Sequence, residues 1–176
     1  DSSRMNLKEK IRVIPNFPKP GISFKDITTL LKDGEALRES IKRMADYFKD
    51  SGIDMIVGVE SRGFILGAPL ACEMGLGFTL IRKPKKLPGE VLSVEYDLEY
   101  GTDSLEIHAD AFPEGTRVLV VDDLLATGGT IDAAIELINK LGGEVAGLAF
   151  LIELSYLGGR EKLQGYDILS LVEYDE

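Results

Sequence analysis

Tryptophan is absent from the chain, and cysteine and histidine occur once each. A lone cysteine excludes an intrachain disulfide and any cysteine-based zinc site. Cys72 lies in the apolar run FILGAPLACEMG, where a small buried core residue is expected. One imidazole is too few for a histidine metal site. His108 shares a strand face with Ser104 and Glu106, but no nucleophile elbow accompanies it, so a Ser-His-acid hydrolase is disfavoured and His108 reads as structural. No apolar run reaches about 18 residues, so no transmembrane helix is expected. The opening DSSRMNLKEK lacks the apolar core of a signal peptide, leaving the cytoplasm as the default compartment. Positive charge is also scarce. Twenty Lys and Arg against thirty Asp and Glu argue against a general nucleic-acid surface. An anionic ligand must therefore be held by local donors and local basic residues.

What is present describes one globular unit. At about 150 residues per domain, 176 residues favour a single domain. Short apolar runs at 54–59, 77–81, 118–121, 144–152 and 167–174 read as strands buried on both faces. Between them, 35–50, 63–74 and 131–141 carry apolar residues at helical spacing, with Pro69 kinking or restarting the second helix and Gly75 capping it. Alternating strands and helices predict an α/β fold: an open, mostly parallel twisted sheet with helices on both faces. Residues 15–21, PNFPKPG, form a loop. Residues 91–98 and 103–108 alternate instead, predicting an inserted β-hairpin, a natural mobile lid.

The most informative stretch is VLVVDDLLATGGT, 118–130. In open parallel sheets, ligands bind at the carboxyl ends of strands, where Asp122 and Asp123 are expected. The next helix starts near Gly128, and its free N–H groups can hold a phosphate without any basic side chain. Gly128 and Gly129 admit close approach, and Thr127 and Thr130 add hydroxyls. The spacing GxxxxGK[ST] is missing, which disfavours a nucleoside triphosphatase of that type. Two carboxylates repel a directly bound phosphate but suit a neutral diol one step away. A ribose 5-phosphate meets both demands.

This stretch resembles the phosphoribosyl-diphosphate motif of the type I phosphoribosyltransferases. FPKPGISFKDIT, GVESRGFILGAPLA, IRKPKKLPGEVLSVEYDLEYGTDSLEIH and LIELSYLGGREKL extend the resemblance over nearly the whole chain, towards the adenine branch of that family. The resemblance implies transfer of ribose 5-phosphate from phosphoribosyl diphosphate to N9 of adenine, giving AMP and pyrophosphate, with Mg²⁺ carried on the diphosphate. It implies one domain over 1–176, with 1–34 as a hood over the base and 82–108 as a flexible catalytic loop. Ala126, Thr127, Gly128, Gly129 and Thr130 would bind the 5-phosphate, and Asp122 and Asp123 the ribose hydroxyls. Arg62, Arg82 and Lys86, with Lys83 beside them, would take the diphosphate. The bland reading of Arg62 is an ion pair with Glu60. A cis peptide before Ser61 is also implied. Glu99 matches the catalytic glutamate that exchanges a proton with the base. Phe24 would stack on adenine opposite Leu154, with backbone near Lys25 reading the exocyclic amine. A homodimer is implied too, with no membrane or nucleic-acid partner. Two rival readings are transfer to a 6-oxopurine, and a non-catalytic sensor of phosphoribosyl diphosphate.

Overall fold

The computed structural model describes residues 4–98 and 100–176. Five parallel strands form its central sheet: β3 (Met55–Val59), β4 (Gly77–Ile81), β7 (Arg117–Leu125), β8 (Glu144–Leu154) and β9 (Ile168–Tyr174). Their spatial order is β4-β3-β7-β8-β9. Ile56, Val57 and Val59 are almost fully covered, as expected of a strand with helices on both sides. The open parallel sheet predicted from the strand–helix alternation is thus observed.

Side chains alternate between two cores. Leu119 and Val121 face one, together with helices α2 (Gly34–Phe48) and α3 (Arg62–Met74). Val118 and Val120 face the other, beneath helix α4 (Gly129–Lys140). In α2, Ile41, Met44 and Phe48 recur at helical spacing and are buried, each contributing about 1.5–3 kcal/mol. Asp33 caps that helix by accepting from the N–H groups of Glu35 (3.2 Å) and Ala36 (3.3 Å), worth about 1 kcal/mol. Pro69 lies inside a continuous α3, and Gly75 closes it in the left-handed conformation, φ 68°.

Cys72 corrects an expectation: it is exposed. On α3, Gly63, Leu66, Gly67 and Leu70 take the buried face, so the period of 3.6 turns Ile65, Ala68 and Cys72 outward.

Two small antiparallel pairs flank the sheet. Strands β1 (Arg12–Ile14) and β2 (Phe24–Asp26) bracket the Pro-rich loop and lead into the short helix α1 (Thr28–Leu31). Strands β5 (Val91–Asp97) and β6 (Thr102–His108) form the predicted hairpin. Its apolar face is packed: Val94, Leu105 and Ile107 join the core under α4. Reciprocal backbone hydrogen bonds between Arg82 and Glu106 tie it to the sheet edge after β4. Near its turn, Tyr100 is 88% exposed.

Candidate active site

Strand order locates the site. After β3 the chain passes through α3 to β4 on one side; after β7 it passes through α4 to β8 on the other. The two connections diverge, opening a crevice at the carboxyl ends of β3 and β7. Glu60, Ser61 and Arg62 enter it from β3, and Asp122 and Asp123 from β7. The Glu60–Ser61 peptide is cis, as the resemblance implied.

β7 runs further than its apolar core suggested. It continues through both aspartates to Leu125 because β8 still pairs with it there: Asp122 lies opposite Phe150 and Leu125 opposite Glu153. Asp123 is only 8% exposed. Its Oδ2 accepts from Nε of Arg62 at 2.5 Å, so Arg62 pairs with Asp123 and not with Glu60. Burial, and then the charge of Asp123, raise the Asp122 carboxyl well above the ordinary aspartate range. The site thus holds its acid pair against an electrostatic cost.

Three cavities meet here. The first, about 210 Å³, is lined by residues 122–131 and Arg62. Gly128 stands at the head of α4 with φ 90°, a conformation that favours glycine, and the first N–H groups of the helix open onto this cradle. All five predicted residues, Ala126 to Thr130, line it.

The second cavity is a mostly apolar slot of about 450 Å³. Phe24 and Leu154 line it, as predicted, together with Leu124, Ile152 and Tyr156. Phe17 braces Phe24 edge-to-face at 5.3 Å between centroids. Lys25 lines the slot, and its ammonium reaches the hydroxyl of Ser23 (3.1 Å) and lies over the Tyr174 ring (4.7 Å). Asp26, also on the slot, is held down at about 2 by the Thr28 hydroxyl and then by Arg12.

The third cavity, about 360 Å³, is polar; Glu60, Ser61, Arg62, Lys83, Asp122, Asp123 and Thr130 line it. Arg82 and Lys86 stand behind its wall, not on it, both gathered by Glu60. The Glu60 carboxylate accepts from Arg82 Nε (3.1 Å), Lys83 N–H (2.8 Å) and Lys86 Nζ (2.5 Å). Burial pushes Glu60 up, but these donors and charges outweigh it and hold its carboxyl low. Lys83 Nζ is bonded to Asp103 and Tyr96. Burial lowers Lys83, and those two partners more than restore its proton. The hub role of Glu60 was missed; its only signal in the sequence was an acid next to Arg62, which read as that residue's partner. Glu99 lies outside the described residues.

Arg62 and Asp123 line all three cavities. An apolar slot, an anion cradle and a polar chamber that holds Arg62 and Lys83 among three carboxylates therefore share one junction, which suits a molecule with a flat base, a sugar phosphate and a second anionic group that brings its own cation.

Comparison with known proteins agrees. The family model for the phosphoribosyl transferase domain matches residues 26–169, and the chain belongs to that family. The adenine phosphoribosyltransferase of Clostridium perfringens is 64% identical over 97% of this chain and 99% of its own length. The crystal structure of the enzyme from Thermoanaerobacter pseudethanolicus superposes with a TM-score of 0.91 at 57% identity, covering 96% of this chain and 98% of that one. The Saccharomyces cerevisiae enzyme, complexed with an imino-altritol bisphosphate and adenine, gives 0.88 at 39% identity, covering 94% and 96%. The chain is therefore placed among the adenine phosphoribosyltransferases.

Proposed function

We propose that the protein transfers ribose 5-phosphate from 5-phosphoribosyl 1-diphosphate to N9 of adenine, a purine-salvage reaction. The observation that carries this reading is the shared junction at Arg62 and Asp123. A base in the slot, a phosphate in the cradle and a diphosphate in the polar chamber all converge on one sugar carbon.

The residues divide the work by chemistry. Phe24 and Leu154 sandwich the base, and backbone groups around Lys25 accept from its exocyclic amine. N–H groups of residues 126–130 hold the 5-phosphate, helped by the Thr127 and Thr130 hydroxyls. Asp122 and Asp123 accept from the ribose hydroxyls. As the C1–O bond breaks, its electron pair leaves on pyrophosphate and the sugar becomes cationic. The acid pair stabilises that cation, while Arg62 and Lys83 face the departing anion and Arg82 and Lys86 add charge from behind Glu60. The N9 lone pair then forms the new bond, and the base gives up one proton. Glu99 is assigned that proton on the family resemblance.

No group of three or more His, Cys, Asp or Glu side chains able to cage a metal occurs among the described residues. Hard carboxylate oxygens at the junction instead fit a Mg²⁺ ion that arrives on the diphosphate, held by Asp122 or Asp123 and by substrate oxygens. When bound, Mg²⁺ supplies positive charge to the diphosphate. The same resemblance supports a homodimer, and the cytoplasm is the default compartment that the sequence leaves.

An adenine-dependent assay tests the reaction. AMP and pyrophosphate form with adenine and not with hypoxanthine. Turnover with hypoxanthine alone would move the assignment to a 6-oxopurine, and tight binding of phosphoribosyl diphosphate without turnover would make the protein a sensor. Glu99→Gln is expected to lower kcat about 100-fold, the lower end of what a positioned acid or base contributes, with substrate affinities little changed. An unchanged kcat removes its proton role.

A further inference from the structure

The buried carboxylate of Glu153 lies outside all three cavities, yet it is elaborately partnered. It is 3% exposed. Both its oxygens share Nε of Arg160, at 2.8 and 2.9 Å, and Oε1 also accepts from the Ser170 hydroxyl at 2.8 Å. The pair is a poor source of net stability, because Glu153 is desolvated while the Arg160 side chain, 49% exposed, is screened by solvent. Its yield here is geometric. Glu153 sits on β8 opposite Leu125, the last residue of β7. Arg160 belongs to α5 (Gly159–Lys162), a short helix that follows β8 after a 3-10 turn over Ser155–Leu157. The pair therefore pins α5 beside the point where β7 turns into the phosphate cradle.

What α5 presents there is bare backbone. A Cβ placed on Gly159 would stand 2.5 Å from the carbonyl oxygen of Ala126 and 2.8 Å from Cδ1 of Leu125. In return, a Cβ on Gly128 would stand 3.2 Å from the carbonyl oxygen of Gly159. Two main chains are thus in direct contact, with no compressible side chain between them, and one of them is the cradle. The neighbouring residues Leu154, Tyr156 and Leu157 line the base slot.

We infer that the segment 154–160, pinned by Glu153, Arg160 and Ser170, is the backing of the phosphate cradle, and that Gly159 and Arg160 are positioning residues for the 5-phosphate. The inference rests on the phosphate-binding reading given above. It assigns a task to the LSYLGGRE stretch, none of whose residues lines the polar chamber. Any side chain at position 159 must displace the Ala126 carbonyl, and with it the N–H groups that follow. A displacement of this order in a positioning contact costs about tenfold or more.

Steady-state kinetics on Gly159→Ala, with titration of ribose 5-phosphate, test the idea. KM for phosphoribosyl diphosphate rises at least about tenfold and ribose 5-phosphate affinity falls by the same factor, while KM for adenine stays within about twofold. A glycine needed only for folding would instead lower the melting temperature and the active fraction, leaving KM alone. A folded Gly159→Ala with parental KM and parental ribose 5-phosphate affinity overturns the inference. Should that variant not fold, Glu153→Gln with Arg160→Gln releases the pin without stranding a buried charge; a raised KM again supports the inference and a parental one refutes it. A parent chain that binds ribose 5-phosphate more tightly than Gly159→Ala but makes no AMP sinks the transfer reaction and leaves this inference standing. A parent chain that neither binds ribose 5-phosphate nor turns over refutes both.

Discussion

Replacing Asp122 and Asp123 together by asparagine lowers kcat at least about 1000-fold while the fold survives. Removing one preorganised electrostatic partner of a developing charge typically costs about 100- to 1000-fold, and this change removes two. Asparagine keeps the shape and the backbone contact, since the Asp122 Oδ1 that accepts from the N–H of residue 123 at 2.8 Å has its counterpart in the amide oxygen. The negative charge facing the sugar is lost, together with the ion pair that Asp123 makes with Arg62. Turnover within tenfold of the parent would refute the assignment of the acid pair.

The same pair yields a stability signature of opposite sign. The folded protein raises Asp122 above its ordinary value of 3.8, first through burial and then through the charge of Asp123. Between the unfolded and the folded value, the native state binds more protons than the unfolded one, so stability falls as pH rises through that window. At neutral pH, above the unfolded value, that penalty opposes folding. Asp122→Asn alone should therefore raise Tm at pH 7.5. The gain should vanish as pH drops below 3.8, where both states carry the proton. Thermal melts at the two pH values check this; a lower Tm at neutral pH contradicts it.

Arg62→Met lowers kcat/KM for phosphoribosyl diphosphate about 1000-fold, the upper range for a lost transition-state donor. Methionine preserves length and packing but carries no charge. Arg62 lines the base slot, the cradle and the polar chamber, so no neighbour duplicates its position. Pairing with Asp123 uses only its Nε, which leaves both terminal nitrogens for phosphate oxygens. The loss has a second component: Asp123, 11% exposed at its side chain, would lose its ion-pair partner. Arg62→Lys is expected to recover only part of the activity, because an ammonium lacks the planar fork. Initial velocities with both substrates, and inhibition by pyrophosphate, measure the effect. Activity of Arg62→Met within fivefold of the parent would exclude it from the reaction.

Much of this was legible along the chain, because the signals are local. The run VLVV needs only its own residues to declare a strand covered on both faces. The acids after it and the TGGT turn need only a dozen residues to specify a strand end, a left-handed glycine and an uncapped helix start. Five strands, three long helices and the hairpin were all foreseen for that reason. Cys72 was misplaced because its run is apolar throughout; which stripe of α3 meets the sheet is decided by Leu66 and Leu70 packing, not by mean hydropathy. The hairpin read as free-standing because alternation reveals two faces but not that α4 and the sheet edge cover one of them.

By itself the sequence determined the sheet, the place of the acid pair, the glycine turn after it and the family, since strand periodicity, turn chemistry and motif spacing act over fewer than about twenty residues. Only the tertiary structure decided which charges meet. Strand order alone brings Arg62 to Asp123, gathers Arg82 and Lys86 onto Glu60, and lays Gly159 against Ala126. Those pairings span 22 to 61 positions of chain, and their partners are chosen by where β3, β7 and β8 lie side by side. Coulomb attraction and close packing depend on distance through space, which no local pattern encodes.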